Sequence, residues 1–214
     1  MKPKIALFMN NPVAEIACCN GMMEALEDYY RFSIFSRKTI TEIDFHKIDL
    51  VAFPGGRGDA DLFDRLLKNN VSIIQSYIQN GGKYLGICMG AYWAGKHYFN
   101  LLNDVKIQQY ITRPNAEIRR SYTTTVDVTW KRKPTNMYFF DGCAFLGNNF
   151  KTVARYSNGD AMAIIQKNIG LIGCHPESRE TWYKRKYMRN RWHRGEHHTL
   201  LQEFVAELMG VNGC

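Results

Sequence analysis

Two things are missing from this sequence of 214 residues: a long apolar run and any paired spacing of cysteines. The opening apolar stretch, Ile5–Met9, is too short for the apolar core of a secretory leader. No other run approaches the roughly 20 residues that cross a bilayer. The six cysteines, Cys18, Cys19, Cys88, Cys143, Cys174 and Cys214, form no Cys-x-x-Cys pair and no zinc-ribbon pattern. Reduced thiols in a cytoplasmic protein fit this better than a disulfide framework. Internal repeats and low-complexity segments are missing too. Neither a membrane anchor, nor a metal, nor an organic cofactor is expected.

What is present is the balance of an ordinary globular chain, 45% hydrophobic and 22% charged. The length suits one sizeable domain with an elaboration. The net charge of +8 is unevenly spread. Residues 179–194, RETWYKRKYMRNRWHR, hold seven Arg and Lys against one Glu. A solvated basic helix is the expectation. Because Trp and Tyr interleave with the charges, nucleic acid or another polyanion is the alternative partner.

Apolar runs and helical patterns alternate over the first hundred residues. KIALFMN reads as a buried strand, followed by a helix over about 13–27. YYRFSIFS and IDLVAFPGG are further strands, and DLFDRLL and VSIIQSYIQ read as helices closing at Asn80-Gly81-Gly82. KYLGIC is the next strand, with a helix over 90–100 behind it. Such alternation predicts right-handed βαβ units in a parallel sheet covered on both faces. After about residue 103 the pattern changes to period two, as at Val126, Val128 and Trp130, followed by NMYFFDG, FKTVARY, AMAIIQ and IGLIGCH. Turn signals at Lys133-Pro134, Asp141-Gly142 and Asn158-Gly159 predict added antiparallel strands, the last a hairpin. A final helix runs from about His198 to Met209 and stops at Gly210.

Chemistry concentrates in three stretches, each at the end of a predicted strand. Gly86-Ile87-Cys88-Met89-Gly90 places a thiol on a tight strand-to-helix turn, where glycines two residues either side relieve crowding and a helix N-terminus favours thiolate. His175-Pro176-Glu177 ends an apolar strand, where alternation lets the imidazole and carboxylate share a face as base and orienting acid. Pro54-Gly55-Gly56 offers a turn through which backbone N–H groups approach a ligand closely. In open α/β sheets, ligands bind at this carboxyl edge.

Taken in order, these motifs resemble the class I glutamine amidotransferase-like superfamily. Within it, GGKYLGICMGAYWAG and ARYSNGDAMAII look closest to the subgroup related to the N-terminal domain of biotin–protein ligases. The resemblance covers roughly residues 4–178. It implies an α/β, flavodoxin-like open and mostly parallel sheet with helices on both faces and antiparallel strands added in the second half. Residues 1–178 would form the glutamine amidotransferase-like domain, and 179–214 a basic helical C-terminal extension packed on it. It further implies Cys88 as nucleophile, His175 as base, Glu177 as orienting acid, and the N–H groups of Gly56 and Met89 as the oxyanion hole. Gly55, Arg57 and Tyr92 are candidates for substrate contact.

Relatives that hydrolyse glutamine usually follow the elbow with polar residues, whereas Ala91, Tyr92 and Trp93 stand here. The expectation is therefore a cysteine-dependent amide hydrolase or acyltransferase working through a thioester on a small-molecule amide or amino-acid-like substrate, with a synthetase or acceptor protein as partner. The alternative is a ligand-binding or regulatory module of the same fold, binding a polyanion through 179–194. His193, His197 and His198 read as a solvated helix start, the acidic GDADLFD stretch as a helix N-terminus, and Cys18, Cys19, Cys143 and Cys174 as packing residues.

Overall fold

The computed structural model describes residues 2–57 and 59–211, so that Gly58 of the Arg57-Gly58-Asp59 stretch and Cys214 lie outside the described residues. The first half runs β1 (Lys4–Phe8), α1 (Ile16–Leu26), β2 (Arg31–Phe35), β3 (Leu50–Phe53), α2 (Ala60–Leu67), α3 (Val71–Gln79), β4 (Lys83–Ile87) and α4 (Met89–Trp93). The second half runs β5 (Lys106–Gln109), β6 (Thr124–Trp130), β7 (Lys133–Phe139), β8 (Cys143–Leu146), β9 (Lys151–Tyr156), β10 (Ala161–Gln166), β11 (Ile169–Ile172) and α5 (Glu196–Met209).

Among the described residues, the eleven strands join one sheet of order β2-β1-β3-β4-β11-β10-β9-β6-β7, with β8 pairing β10 and β5. The pairings from β2 to β11 are parallel; those beyond β11 are antiparallel. Successive strand residues serve opposite faces. Ile5, Leu7, Leu50, Ala52, Leu85 and Ile87 pack with Cys19, Met22, Leu201 and Phe204 of α1 and α5. Ala6, Phe8, Val51, Phe53 and Tyr84 pack with Phe63, Ile74, Tyr77 and Trp93 of α2, α3 and α4. Continuous apolar strands are the consequence, since neither face meets water. The expected mixed α/β sheet is what the chain forms.

Several local expectations are corrected. The first helix starts at Ile16 rather than residue 13, because residues 10–15 bond to the β3 loop instead: Arg57 N–H donates to Val13 O at 2.8 Å and Glu15 N–H to Gly55 O at 3.3 Å. The helix after Cys88 ends at Trp93, where the chain folds back to bury Phe99 and Phe99 N–H donates to Trp93 O. The β6–β7 turn falls at Lys131-Arg132, both with positive φ (44° and 71°), and Pro134 sits inside the edge strand β7, where a missing N–H is tolerated. Strands β5 and β8 carry no alternation strong enough to predict them.

Residues 179–194 form two short 3₁₀ turns, Glu180–Tyr183 and Arg189–Arg191, and not the expected basic helix. Tyr183 and Met188 bury against Tyr138, with Trp182 and Trp192 alongside. Anchors at these positions do not share one helical stripe, so the chain bends to seat them. The Asn158-Gly159 hairpin forms as read, with Gly159 at φ 89°.

Candidate active site

Strands β3, β4 and β11 lie side by side and parallel, so their carboxyl ends meet at one edge. The Gly55-Gly56 loop, Cys88 and His175 leave from those three ends. Their gathering there is a property of the strand order, since β11 comes last among the strands yet pairs with β4.

Cys88 has φ 49° and ψ −103°, a backbone conformation that side-chain-bearing residues rarely adopt. Its N–H donates to Ile172 O at 2.8 Å. The flanking glycines have a steric reason: a Cβ at Gly86 would fall 2.4 Å from Gly90 O, and one at Gly90 would fall 2.0 Å from Phe53 O. The Cys88 thiol lies 3.7 Å from Phe140 O, its hydrogen-bond acceptor. Because α4 has only five residues, its dipole adds less at the thiol than a full helix would.

His175 N–H donates to Tyr138 O at 3.0 Å, and its Nδ1 lies 2.9 Å from Glu177 Oε1. Both side chains are buried. The expectation that they share a strand face is corrected: β11 ends at Ile172, and His175–Ser178 make a turn closed by Ser178 N–H donating to His175 O. α1 makes room for that turn, since a Cβ at Gly21 would fall 2.3 Å from Glu177 O. Burial alone would drive the imidazole neutral. The Glu177 carboxylate first, and then the nearby thiols of Cys88 and Cys18, outweigh it and hold the His175 pKa well above the usual range.

A second layer fixes the turn from behind. Ser178 O accepts from Nε2 of both His193 and His198, each at 3.1 Å. His193 and His197 stack with ring centroids 4.0 Å apart and are buried, so the expectation of a solvated helix start is corrected. Burial, followed by the neighbouring imidazoles, pushes His193 down to about 3 and His197 to about 4.

A cavity of about 360 Å³ opens over Cys88 and His175. Glu15, Gly56, Arg57, Thr123, Tyr138, Phe140 and Trp182 line it as well. Arg57 Nε and Glu15 Oε1 pair at 3.9 Å at the exposed mouth. No partner of the Gly56 N–H is found among the described residues, and the Met89 N–H opens α4, where no intrahelical acceptor exists. Gly55 lies behind the site rather than along the cavity: a Cβ there would fall 2.6 Å from His175 Cε1. Tyr92 also stands away from the cavity, its hydroxyl donating to Asp141 O and Gly142 O at 3.3 Å each. Burial pushes that phenol upward.

Sequence reading does not find Cys18, Thr123, Tyr138, Phe140 or Trp182. Cys18 is buried, as a packing residue would be, but its sulfur also lies within 4.8 Å of a His175 ring nitrogen and lines the same cavity. A larger depression of about 730 Å³, between Pro3, Tyr30 and α5, shares no residue with this site and offers no thiol or imidazole.

Residues 12–114 match the family model described as biotin-protein ligase, N terminal. A glutamine amidotransferase from Thermotoga maritima has the same fold at 13% identity, with a TM-score of 0.70 over 98% of this chain and 99% of that one. A glutamine amidotransferase from Methylobacillus flagellatus aligns at 10% identity and a TM-score of 0.61, covering 99% of this chain and 94% of that one. A β-galactosidase from a psychrophilic Marinomonas contains the fold as well, at 10% identity and a TM-score of 0.56 over 99% of this chain but 30% of that one. No match is found among the curated proteins. The chain thus has a glutamine amidotransferase-like fold, and residues 12–114 are similar to the biotin–protein ligase N-terminal family. Among the described residues no helix is long and apolar enough to cross a membrane.

Proposed function

We propose that the chain is a cysteine-dependent amide hydrolase or acyltransferase acting through Cys88, His175 and Glu177. The observation that carries this is the backbone of Cys88, held at positive φ between two glycines that the packing demands, next to an imidazole bonded to a buried carboxylate. Strained conformations of this kind concentrate at functional sites. In the reaction, the Cys88 sulfur attacks the amide carbonyl as the thiolate, its proton already held by His175, whose raised pKa favours the imidazolium. The carbonyl oxygen gathers negative charge facing the N–H groups of Gly56 and Met89. Collapse breaks the C–N bond, His175 returns the proton to the leaving amine, and a thioester stays on Cys88. Water or an amine then releases the acyl group.

The aromatic wall of Tyr138, Phe140 and Trp182, with Arg57 and Glu15 at the mouth, suits a small amide bearing polar ends. Exposed Lys184, Arg185 and Lys186 follow Trp182, and Tyr187 OH donates to Thr123 O at 2.8 Å, tying the basic segment to the cavity wall. An anionic substrate or an acidic acceptor protein in the cytoplasm is accordingly favoured over a neutral one. The test is exposure of the whole chain to an α-chloroketone analogue of glutamine and to analogues with other side chains, followed by peptide mapping. A single adduct on Cys88 is expected, and the analogue that reacts fastest identifies the acyl group. No adduct with any of them would overturn the proposal.

A further inference from the structure

We propose that Cys18, His175 and Glu177 form a binding site for a single zinc-type divalent cation, with its open position facing the cavity. One ligand atom from each of the three lies within 4.8 Å of the others, and all three residues are buried. A second observation concerns the hydrogen bonding of the same carboxylate: Glu177 Oε2 is buried and has no hydrogen-bond partner among the described residues. A buried carboxylate oxygen left unpaired is costly, and a cation relieves it.

The donor set identifies the ion. One sulfur, one imidazole nitrogen and one carboxylate oxygen suit zinc and its soft analogues, with water in the fourth place. Calcium and magnesium take oxygen ligands and do not fit. Charge agrees as well: a thiolate and a carboxylate balance a divalent ion, so the occupied site is neutral, as a buried site requires. Gly55 keeps the space, since a Cβ there would fall 3.0 Å from Cys18 Sγ and 2.6 Å from His175 Cε1.

On binding, a sulfur–metal bond forms and the Cys18 thiol proton leaves to solvent, as does any proton held by His175. Because the sulfur must lose its proton to bind, protons compete with the ion and affinity rises with pH. A neutral imidazole has one basic lone pair. Once the ion holds it, none is left for Cys88. That inhibition rests on the proposed function, whereas the binding does not.

The experiment titrates the whole chain with Cd²⁺, reading the thiolate-to-metal absorption band, and with Zn²⁺ in competition with a chromophoric chelator. One ion per chain and a thiolate band are expected. Cys18→Ser and Cys18→Ala should each lose the band and weaken binding by at least ~100-fold, more than loss of an outer-shell partner costs. Cys88→Ser should retain both. Absence of a band in the unaltered chain, unchanged affinity in either folded Cys18 variant, or loss of the band in Cys88→Ser alone would overturn the assignment. Since the readout is binding, inactivity toward amides leaves it intact.

Discussion

His175 Nδ1 lies 2.9 Å from Glu177 Oε1 across a buried turn of the chain. Burial disfavours the imidazolium there, and the carboxylate is the main influence that restores it. Glu177→Gln should therefore lower the pH at which His175 titrates, which an imidazole NMR titration reads directly. The same change should slow reaction at Cys88 by about 10²–10⁴-fold, the usual worth of a positioned acid–base group. An unmoved titration would show that the carboxylate does not govern the ring.

The same pair sets one arm of the stability profile. Because the folded pKa of His175 is raised, its contribution is complete below the ordinary value of 6.5 and is lost as pH rises through the folded value. Urea unfolding should show stability declining on the alkaline side, and Glu177→Gln should flatten that decline.

His193 and His197 act in the opposite sense. Their folded values, about 3 and about 4, lie below 6.5. Stability from keeping them neutral is complete above pH 6.5 and is lost as pH falls toward 4. Replacing His197 with Gln should reduce this acid sensitivity. Unchanged acid sensitivity would place it elsewhere, for instance among the carboxylates.

Gly90 has a Cβ position 2.0 Å from Phe53 O, a backbone atom that cannot swing aside. Gly90→Ala should cost at least ~1–3 kcal/mol in chemical denaturation, the scale of overpacking in a filled core. It should also displace Cys88, so that labelling falls further than stability.

Much of this is legible in the residues alone. Gly86, Cys88 and Gly90 announce an elbow, and the Phe53 carbonyl under Gly90 is the reason for the spacing. The βαβ alternation marks the parallel half, and Val126, Val128 and Trp130 are buried as period two requires. The order of the strands is not legible, because pairing of β11 with β4 is a long-range choice that no local pattern encodes. The Lys131-Arg132 turn is hidden because neither residue signals positive φ. Cys18 escapes for a similar reason: on α1 it is one more buried thiol, and only the packing of α1 against the 175–178 turn brings it to His175. Residues 179–194 mislead through their charge, which masks the anchoring by Tyr183 and Met188.

The Arg113–Asp160 pair offers a test of what supports the Asn158-Gly159 hairpin. Arg113 Nε and Nη2 reach Asp160 Oδ2 and Oδ1 at 2.7 and 3.2 Å, with Asn158 Nδ2 at 2.9 Å from Oδ2. Burial would raise the carboxyl, but these donors hold it below its ordinary 3.8. Asp160→Asn should cost roughly 1–3 kcal/mol above that pH, as for hydrogen bonds to charged groups, and the difference should vanish in acid.

Cys88 reacts because His175 holds its proton and leaves the sulfur as a nucleophile. The most direct measurement is the rate at which a small electrophilic amide alkylates Cys88 near neutral pH, in the unaltered chain and in a folded His175→Ala variant. A rate at least ~100-fold lower in the variant is predicted, following the usual range for a lost general base. Equal rates in the two proteins would contradict the account.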